Sequence, residues 1–291
     1  MLIDTHAHIN FAAFKTDAND VIRRSLDNNI WMINIGTKYE TSKRAVEMAV
    51  KYPEGVFAAI GLHPLHLETG LVKIKNDTEE IEVKTREEDF DYEKYKELAQ
   101  SKKVVAIGEI GLDYYWRPKT TAKKELFKSK QKNLFLKQLE LAQELGLPVM
   151  FHCRMANKDL IQILKEAEGL RPEKAVAHGF VGTVEELKEH LAFGYSIGFN
   201  GIIFKNIEGI DFEKNIKVTP LERILIETDC PYLTPPLPAD LSAKDLSKAE
   251  VLAKAGQIEG RNEPIYLQYI IQKVAEVKGV KPEELAEITT Q

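Results

Sequence analysis

Short apolar, β-rich runs recur along this sequence with longer amphipathic stretches between them, and that alternation leaves very few architectures open. The runs lie at Leu2–Thr5, Ile30–Gly36, Val56–Gly61, Val104–Gly108, Pro148–Phe151, Ala175–Ala177, Tyr195–Gly198 and Ile224–Glu227. Between them, stretches such as Asn19–Asn28, Thr41–Lys51, Lys123–Leu145, Asn157–Glu168 and Val184–Ala192 place apolar residues three and four apart, the spacing of a helix with one buried face. Strands apolar on both sides that alternate with helices build a parallel sheet covered by helices. Eight such units predict a closed (β/α)₈ barrel, the TIM barrel, rather than an open doubly wound sheet, and no GxGxxG follows the first strand. A chain of 291 residues, 44% apolar and 29% charged, has enough material for one such barrel, so a single domain over 1–291 is expected.

Two segments interrupt the repeat. Over 71–84, Val72-Lys73-Ile74-Lys75 and Ile81-Glu82-Val83-Lys84 alternate apolar and charged residues around Asn76-Asp77, which reads as a hairpin in the loop after strand three. Over 235–260, a proline-rich entry leads to a helix expected from Ser242, as N-cap, to about Ala255, inserted after strand eight. In a barrel both insertions belong to the mouth. A formal charge of −5, from 40 basic and 45 acidic residues, gives no global attraction to nucleic acid or an anionic membrane, so such a partner needs a local patch or a metal. No apolar run reaches membrane-spanning length, and Asp4 breaks the apolar start too early for a signal peptide. Cys153 and Cys230 are the two cysteines and form no CxxC pair, which points to a reducing cytoplasm.

The chemistry concentrates at strand ends. In Asp4-Thr5-His6-Ala7-His8, the two histidines stand two residues apart on an extended segment and can present both imidazoles to one ion. Glu109 follows strand four, His152 ends strand five, His178 ends strand six and Asp229 ends strand eight. Charged groups gathered at a barrel rim without a partner are costly, so their coincidence points to a metal site. Four histidines and two carboxylates exceed the three ligands usual for one catalytic zinc, which suggests two ions with Glu109 as the bridge. Imidazole and carboxylate ligands without thiolate suit zinc, manganese or magnesium.

The motifs Asp4–His8, Gly61-Leu62-His63-Pro64, Gly108–Tyr114, Phe151–Arg154, His178-Gly179-Phe180, Glu227–Leu233 and Arg261-Asn262-Glu263-Pro264 span nearly the whole chain in order. As a set they resemble the TatD family of metal-dependent deoxyribonucleases, a branch of the amidohydrolase-like barrels. The resemblance implies that His6, His8, Glu109 and Asp229 hold one ion and that Glu109, His152 and His178 hold the other. Three departures stand out. Met155 follows Arg154 where the family often has an acid, the 235–260 segment is longer than usual, and the family pattern continues past Ile288-Thr289-Thr290 into a closing helix.

The reaction so implied is hydrolysis of DNA phosphodiesters from an end, by a hydroxide that two ions activate. Asp229 is expected to accept the proton of the attacking water, and His63 to bind phosphate or protonate the leaving group. Arg154 can grip a phosphate in a bidentate way, and Lys205 is a further phosphate candidate. Asp4 is expected to orient a ligand, Cys153 to serve packing, and His66 and His190 to be ordinary surface or loop residues. After Tyr114-Tyr115-Trp116, the stretch Arg117–Lys132 carries Arg117, Lys119, Lys123, Lys124, Lys128, Lys130 and Lys132 against the single acid Glu125, a pattern suited to single-stranded or end-frayed DNA. A monomer is compatible with this reading. The barrel and ligands alone equally permit hydrolysis of an ester or amide, such as an aminoacyl-tRNA ester or a cyclic amide, and a non-catalytic metal-binding scaffold is the reading from another class.

Overall fold

The computed structural model describes residues 1–67, 71, 88–236 and 260–290. The hairpin expected over 71–84 and the helix expected from Ser242 to about Ala255 lie outside the described residues, Leu71 excepted. Eight parallel strands follow one another in space as they do in sequence: β1 (Leu2–Ala7), β2 (Ile30–Ile35), β3 (Val56–Ile60), β4 (Val104–Asp113), β5 (Val149–Arg154), β6 (Ala175–Ala177), β7 (Ser196–Phe199) and β8 (Ile224–Ile226). A parallel bridge between Ala7 and Cys230 joins the chain beyond β8 to β1, with Asp229 N–H donating to the His6 carbonyl at 2.8 Å and His8 N–H to the Cys230 carbonyl at 2.9 Å. The expected (β/α)₈ barrel is therefore present, nearly closed on itself.

Helices α1 (Ala18–Asp27), α2 (Tyr39–Val50), α3 (Tyr92–Leu98), α4 (Thr121–Leu145), α5 (Asn157–Glu166), α6 (Val184–Ala192), α7 (Phe212–Val218), α8 (Leu267–Lys278) and α9 (Pro282–Thr289) pack around the sheet. Alternation along each strand divides the core. Ile35, Ala59, Ala106, Met150 and Val176 form one small cluster with Ile33 and Leu225, which fills the barrel's interior. Their sequence neighbours Met32, Ala58, Ile60, Ile107, Val149 and Phe151 face outward instead and pack with α2, α4 and α5 through Val46, Ala49, Leu134, Leu139, Leu160 and Leu164. On the other flank, Ile197, Phe199, Ile224 and Ile226 meet Leu187, Ile216, Ile270 and Val274. No helix among the described residues is long and apolar enough to cross a membrane.

Two irregularities position the mouth. Between Asp4 and Ala7, β1 uses three steps against two of β2, and between Ile107 and Ile110, β4 does the same against β5. Each extra residue is a bulge, which re-aims the side chains beside it, and the bulges fall at His6 and Glu109. A second device anchors the loop after β1. The Arg261 guanidinium lies over the Phe14 ring at 4.3 Å, donates to the Ala13 carbonyl at 2.7 Å, and pairs with Asp17 at 2.6 Å and Glu263 at 2.7 Å. Arg24 reaches the other Glu263 oxygen at 2.7 Å, so two arginines and two acids bind the start of the chain to its last third.

Gly111 and Gly146 separate two costs of a side chain. Both have positive φ, +148° and +63°, but a Cβ on Gly111 would lie 2.0 Å from the His152 carbonyl oxygen, whereas the space around Gly146 is open. Gly146→Ala should cost about 1 to 2 kcal/mol through the left-handed backbone alone. Gly111→Ala should exceed it, at about 3 kcal/mol or more, because β4 and β5 must part. Thermal unfolding of the two variants side by side checks this order.

Candidate metal centre

The sequence-predicted ligands converge at the carboxyl ends of the strands. His6 is on β1 with His8 just beyond it, Glu109 is within β4 and His152 within β5, His178 follows β6, and Asp229 stands three residues past β8. The expected ends of strands four and five, Gly108 and Phe151, are corrected to Asp113 and Arg154. Backbone pairing resumes past the β4 bulge, with Gly111 opposite His152 and Asp113 opposite Arg154. His152 is therefore held by paired backbone, and Glu109 stands in a bulge with paired residues on either side rather than in a loop.

Glu109 occupies the centre. Its Oε2 lies 3.4 Å from His6 Nε2, while its Oε1 lies 2.5 Å from His152 Nδ1, 3.7 Å from His63 Nε2 and 3.8 Å from His178 Nε2. Asp229 closes the other side, with Oδ1 3.4 Å from His8 Nε2 and 3.7 Å from His6 Nε2, and Oδ2 3.9 Å from His178 Nε2. The Nε2 atoms of His6 and His8 are 3.1 Å apart, and the His6 ring stacks on His178 at 3.4 Å. Asp229 holds φ +58°, a conformation costly for most residues and tolerated by aspartate.

Each of these imidazoles is held from outside through its other nitrogen. His8 Nδ1 donates to the Ile35 carbonyl at 3.0 Å, His178 Nδ1 lies 2.8 Å from Glu227 Oε1, His152 Nε2 lies 3.0 Å from Asp113 Oδ2, and His6 Nδ1 faces the Met150 sulfur at 2.9 Å. Such outer partners fix tautomer and ring orientation, which leaves the inward nitrogen able to serve as a ligand. His6, His8 and Glu109 bring ligand atoms within 4.8 Å of one another, as do His6, His178 and Glu227, and His63, Asp113 and His152. Buried imidazoles and carboxylates without thiolate are a donor set that fits a zinc, manganese or magnesium ion. Burial lowers the pKa of His152, but Glu109 and Asp113 outweigh it and bring the value up to about 9; Glu227 does the same for His178, to about 10. Burial pushes Glu109 up, yet His152, His63 and His6 hold it well below the usual carboxylate range.

Asp113 and Glu227 were not assigned from sequence. Asp113 Oδ2 also accepts from Arg154 Nε at 2.7 Å, its Oδ1 accepts from Tyr115 N–H at 2.9 Å, and Glu227 Oε1 accepts from Gly179 N–H at 2.5 Å. Their signal was spacing: Asp113 stands four residues after Glu109 and Glu227 two before Asp229. An acid at an even interval from a ligand points to the same side of an extended segment.

The remaining candidates divide. His63 joins the ring, its Nδ1 accepting from Leu65 N–H at 3.1 Å, and Arg154 lies at the edge with its guanidinium 4.6 Å over the Tyr115 ring. Lys205 is exposed beyond the 3-10 turn Gly201–Phe204 and joins no ion pair among the described residues. Asp4 is buried and accepts from His6 N–H, Thr228 N–H and the Thr228 hydroxyl, so it orders the backbone that bears two ligands and touches no ligand ring. His190 is a correction: it is fully buried on α6 beside Phe180, because its spacing from Leu187 puts both on the inner face. His66 is half-buried, its ring 6.1 Å from that of His63, and Cys153 packs against the core. The basic stretch is not one open face, since Lys128 pairs with Asp159 and Lys132 with Glu166, both at 3.1 Å, and so tie α4 to α5.

The family model described as TatD related DNase matches residues 3–291. The chain is 35% identical over 293 aligned positions to the uncharacterized metal-dependent hydrolase YabD of Bacillus subtilis (strain 168), with 100% of this chain and 96% of that protein covered. It is 32% identical over 291 positions to the 3′-5′ ssDNA/RNA exonuclease TatD of Yersinia pseudotuberculosis serotype O:3 (strain YPIII), again covering 100% and 96%. The crystal structure of YjjV, a TatD homolog from Escherichia coli K12, matches the fold with a TM-score of 0.74 at 25% identity, covering 99% of this chain and 95% of that one. The sequence match runs the length of the barrel whose mouth gathers these imidazoles and carboxylates, and the chain belongs to the TatD family of metal-dependent hydrolases.

Proposed function

We propose that this chain is a metal-dependent exonuclease that hydrolyses the phosphodiester bonds of single-stranded DNA from an end, the kind of substrate named for its Yersinia relative. The observation that carries the proposal is the divided attention of Glu109, whose Oε2 faces His6 while Oε1 faces His152, His63 and His178. In this reading His6, His8, Glu109 and Asp229 hold one divalent ion, and Glu109, His152 and His178 hold a second. When bound, such ions supply Lewis acidity toward a phosphoryl oxygen and a nucleophilic water near neutral pH.

The chain's own residues do the rest. Glu109 is buried, whereas Asp229 is partly open, so Asp229 is the carboxylate that an incoming water can reach and the one that takes its proton. His63 accepts through Nδ1, so its Nε2 carries the hydrogen and faces the site as a neutral donor to a phosphate oxygen. Arg154 commits Nε to Asp113 and offers its terminal nitrogens to a phosphate, which fixes the strand at the edge of the centre.

Metal-stripped protein should shorten a labelled single strand stepwise only after zinc, manganese or magnesium is restored, and His6→Ala should lower kcat by about 100-fold with reduced metal content. No cleavage with any of these ions, although two are bound per chain, would move the assignment to ester or amide substrates. Asp229→Asn should fold as the wild type does and lose about 100-fold in kcat; full turnover in the metal-loaded variant removes its role as proton acceptor. Glu227→Gln leaves the first ring of ligands intact but loosens His178, so calorimetric titration should show metal affinity falling about 10-fold or more.

A further inference from the structure

Two aromatic rings beside the centre have no part in holding it. Tyr115 and Trp116, in the loop after β4, are 54% and 42% exposed and meet edge to face with centroids 5.2 Å apart. Large aromatic side chains left in water at the rim of a site mark a binding surface. A cation borders this one: the Arg154 guanidinium lies 4.6 Å over the Tyr115 ring. Met155, the residue after Arg154, is 63% exposed and brings no negative charge to that edge.

The rings are also registered to the chemistry. Asp113, fully buried, accepts from the Tyr115 backbone N–H through one oxygen and holds Arg154 and the His152 imidazole through the other. A single carboxylate thereby fixes an aromatic surface, a phosphate-binding cation and an imidazole of the metal centre relative to one another. We propose that Tyr115 and Trp116 form a stacking site for an unpaired nucleobase of the strand whose phosphate Arg154 holds, an assignment that rests on the nuclease reading above. Every base has a π face and the rings make no base-specific hydrogen bond, so the site accepts any base that is free of a neighbour. Inside a duplex both faces of a base are already covered, and at its end the base is held by its pairing partner. The aromatic pair therefore selects frayed or single-stranded ends, and the guanidinium at its border suits a polyanion better than an apolar protein partner.

The test uses the metal-loaded full chain and a labelled single strand with 2-aminopurine near its 3′ end. In the Tyr115→Ala/Trp116→Ala variant, KM should rise about 10-fold with kcat changed by less than about two-fold, and the quenching of 2-aminopurine seen on binding to the wild type should be lost. Trp116→Phe should restore most of the affinity. Wild-type protein should show the same rise in KM on a strand carrying abasic residues at that end, with no further rise when the double variant meets the abasic strand. Unchanged KM and quenching in the double variant, in protein that retains its thermal midpoint and metal content, overturn the stacking site while cleavage leaves the nuclease reading standing; so do fully additive losses. Quenching without cleavage under any ion overturns the nuclease reading and keeps the stacking site, and a wild type that binds no strand overturns both.

Discussion

A carboxylate enclosed by protein stays ionised only where positive charge or hydrogen donors reach it from several directions. Glu109 meets that condition with imidazoles on both of its oxygens, and the mouth of the barrel is shaped around it. The bulge in β4 aims it inward, the bulge in β1 brings His6 to it, and Met150, from the innermost layer of the barrel, sits beneath His6. With an ion present, the same carboxylate would face ligands on two sides. The geometry that satisfies one buried anion also gathers the groups that could hold a metal ion.

A second tier of acids keeps that geometry rigid. Glu227 and Asp113 serve opposite flanks in the same manner, each holding the outer nitrogen of one imidazole and one backbone N–H. They differ in what else they hold. Glu227 ends at His178 and Gly179, while Asp113 extends to Arg154 and so couples the metal centre to the surface beyond it. Farther out, the pairs among Asp17, Arg24, Arg261 and Glu263 steady the loop after β1. Removing one partner of such a network would leave the other's charge uncompensated, so the four side chains hold their positions together.

Much of this was legible in the sequence because its physical causes are local. Strand and helix periods are properties of neighbouring residues, and six of the centre's side chains fall where extended runs end. What escaped notice depends on pairing between strands. β4 continues past Gly108 because its bulge lets Gly111 lie against His152, a contact between residues far apart in sequence, and Asp113 is drawn into the centre only by that extension. His190 reads as a surface histidine by type, yet the inner face of α6 takes it in. The helix α8 carries an apolar spacing as clear as any, Leu267, Ile270, Ile271 and Val274, and α9 opens on proline with two glutamates behind it. Lys128 and Lys132 read along the sequence as part of one basic stretch, and only the fold brings their acid partners on α5 to them.

The seam between β1 and β8 bears on how the protein is made. His6 and His8 are made long before the groups that set their backbone: Thr228 bonds to Asp4 across 224 positions, and Arg261 clamps the loop that follows β1. Until those segments emerge, the first strand lacks one of its two neighbours and its histidines lack Asp229. A nascent chain can pair β1 through β7 and still hold no complete centre. Assembly of the mouth is thus a late event in biosynthesis, since the contacts that set β1 come from chain that follows β8.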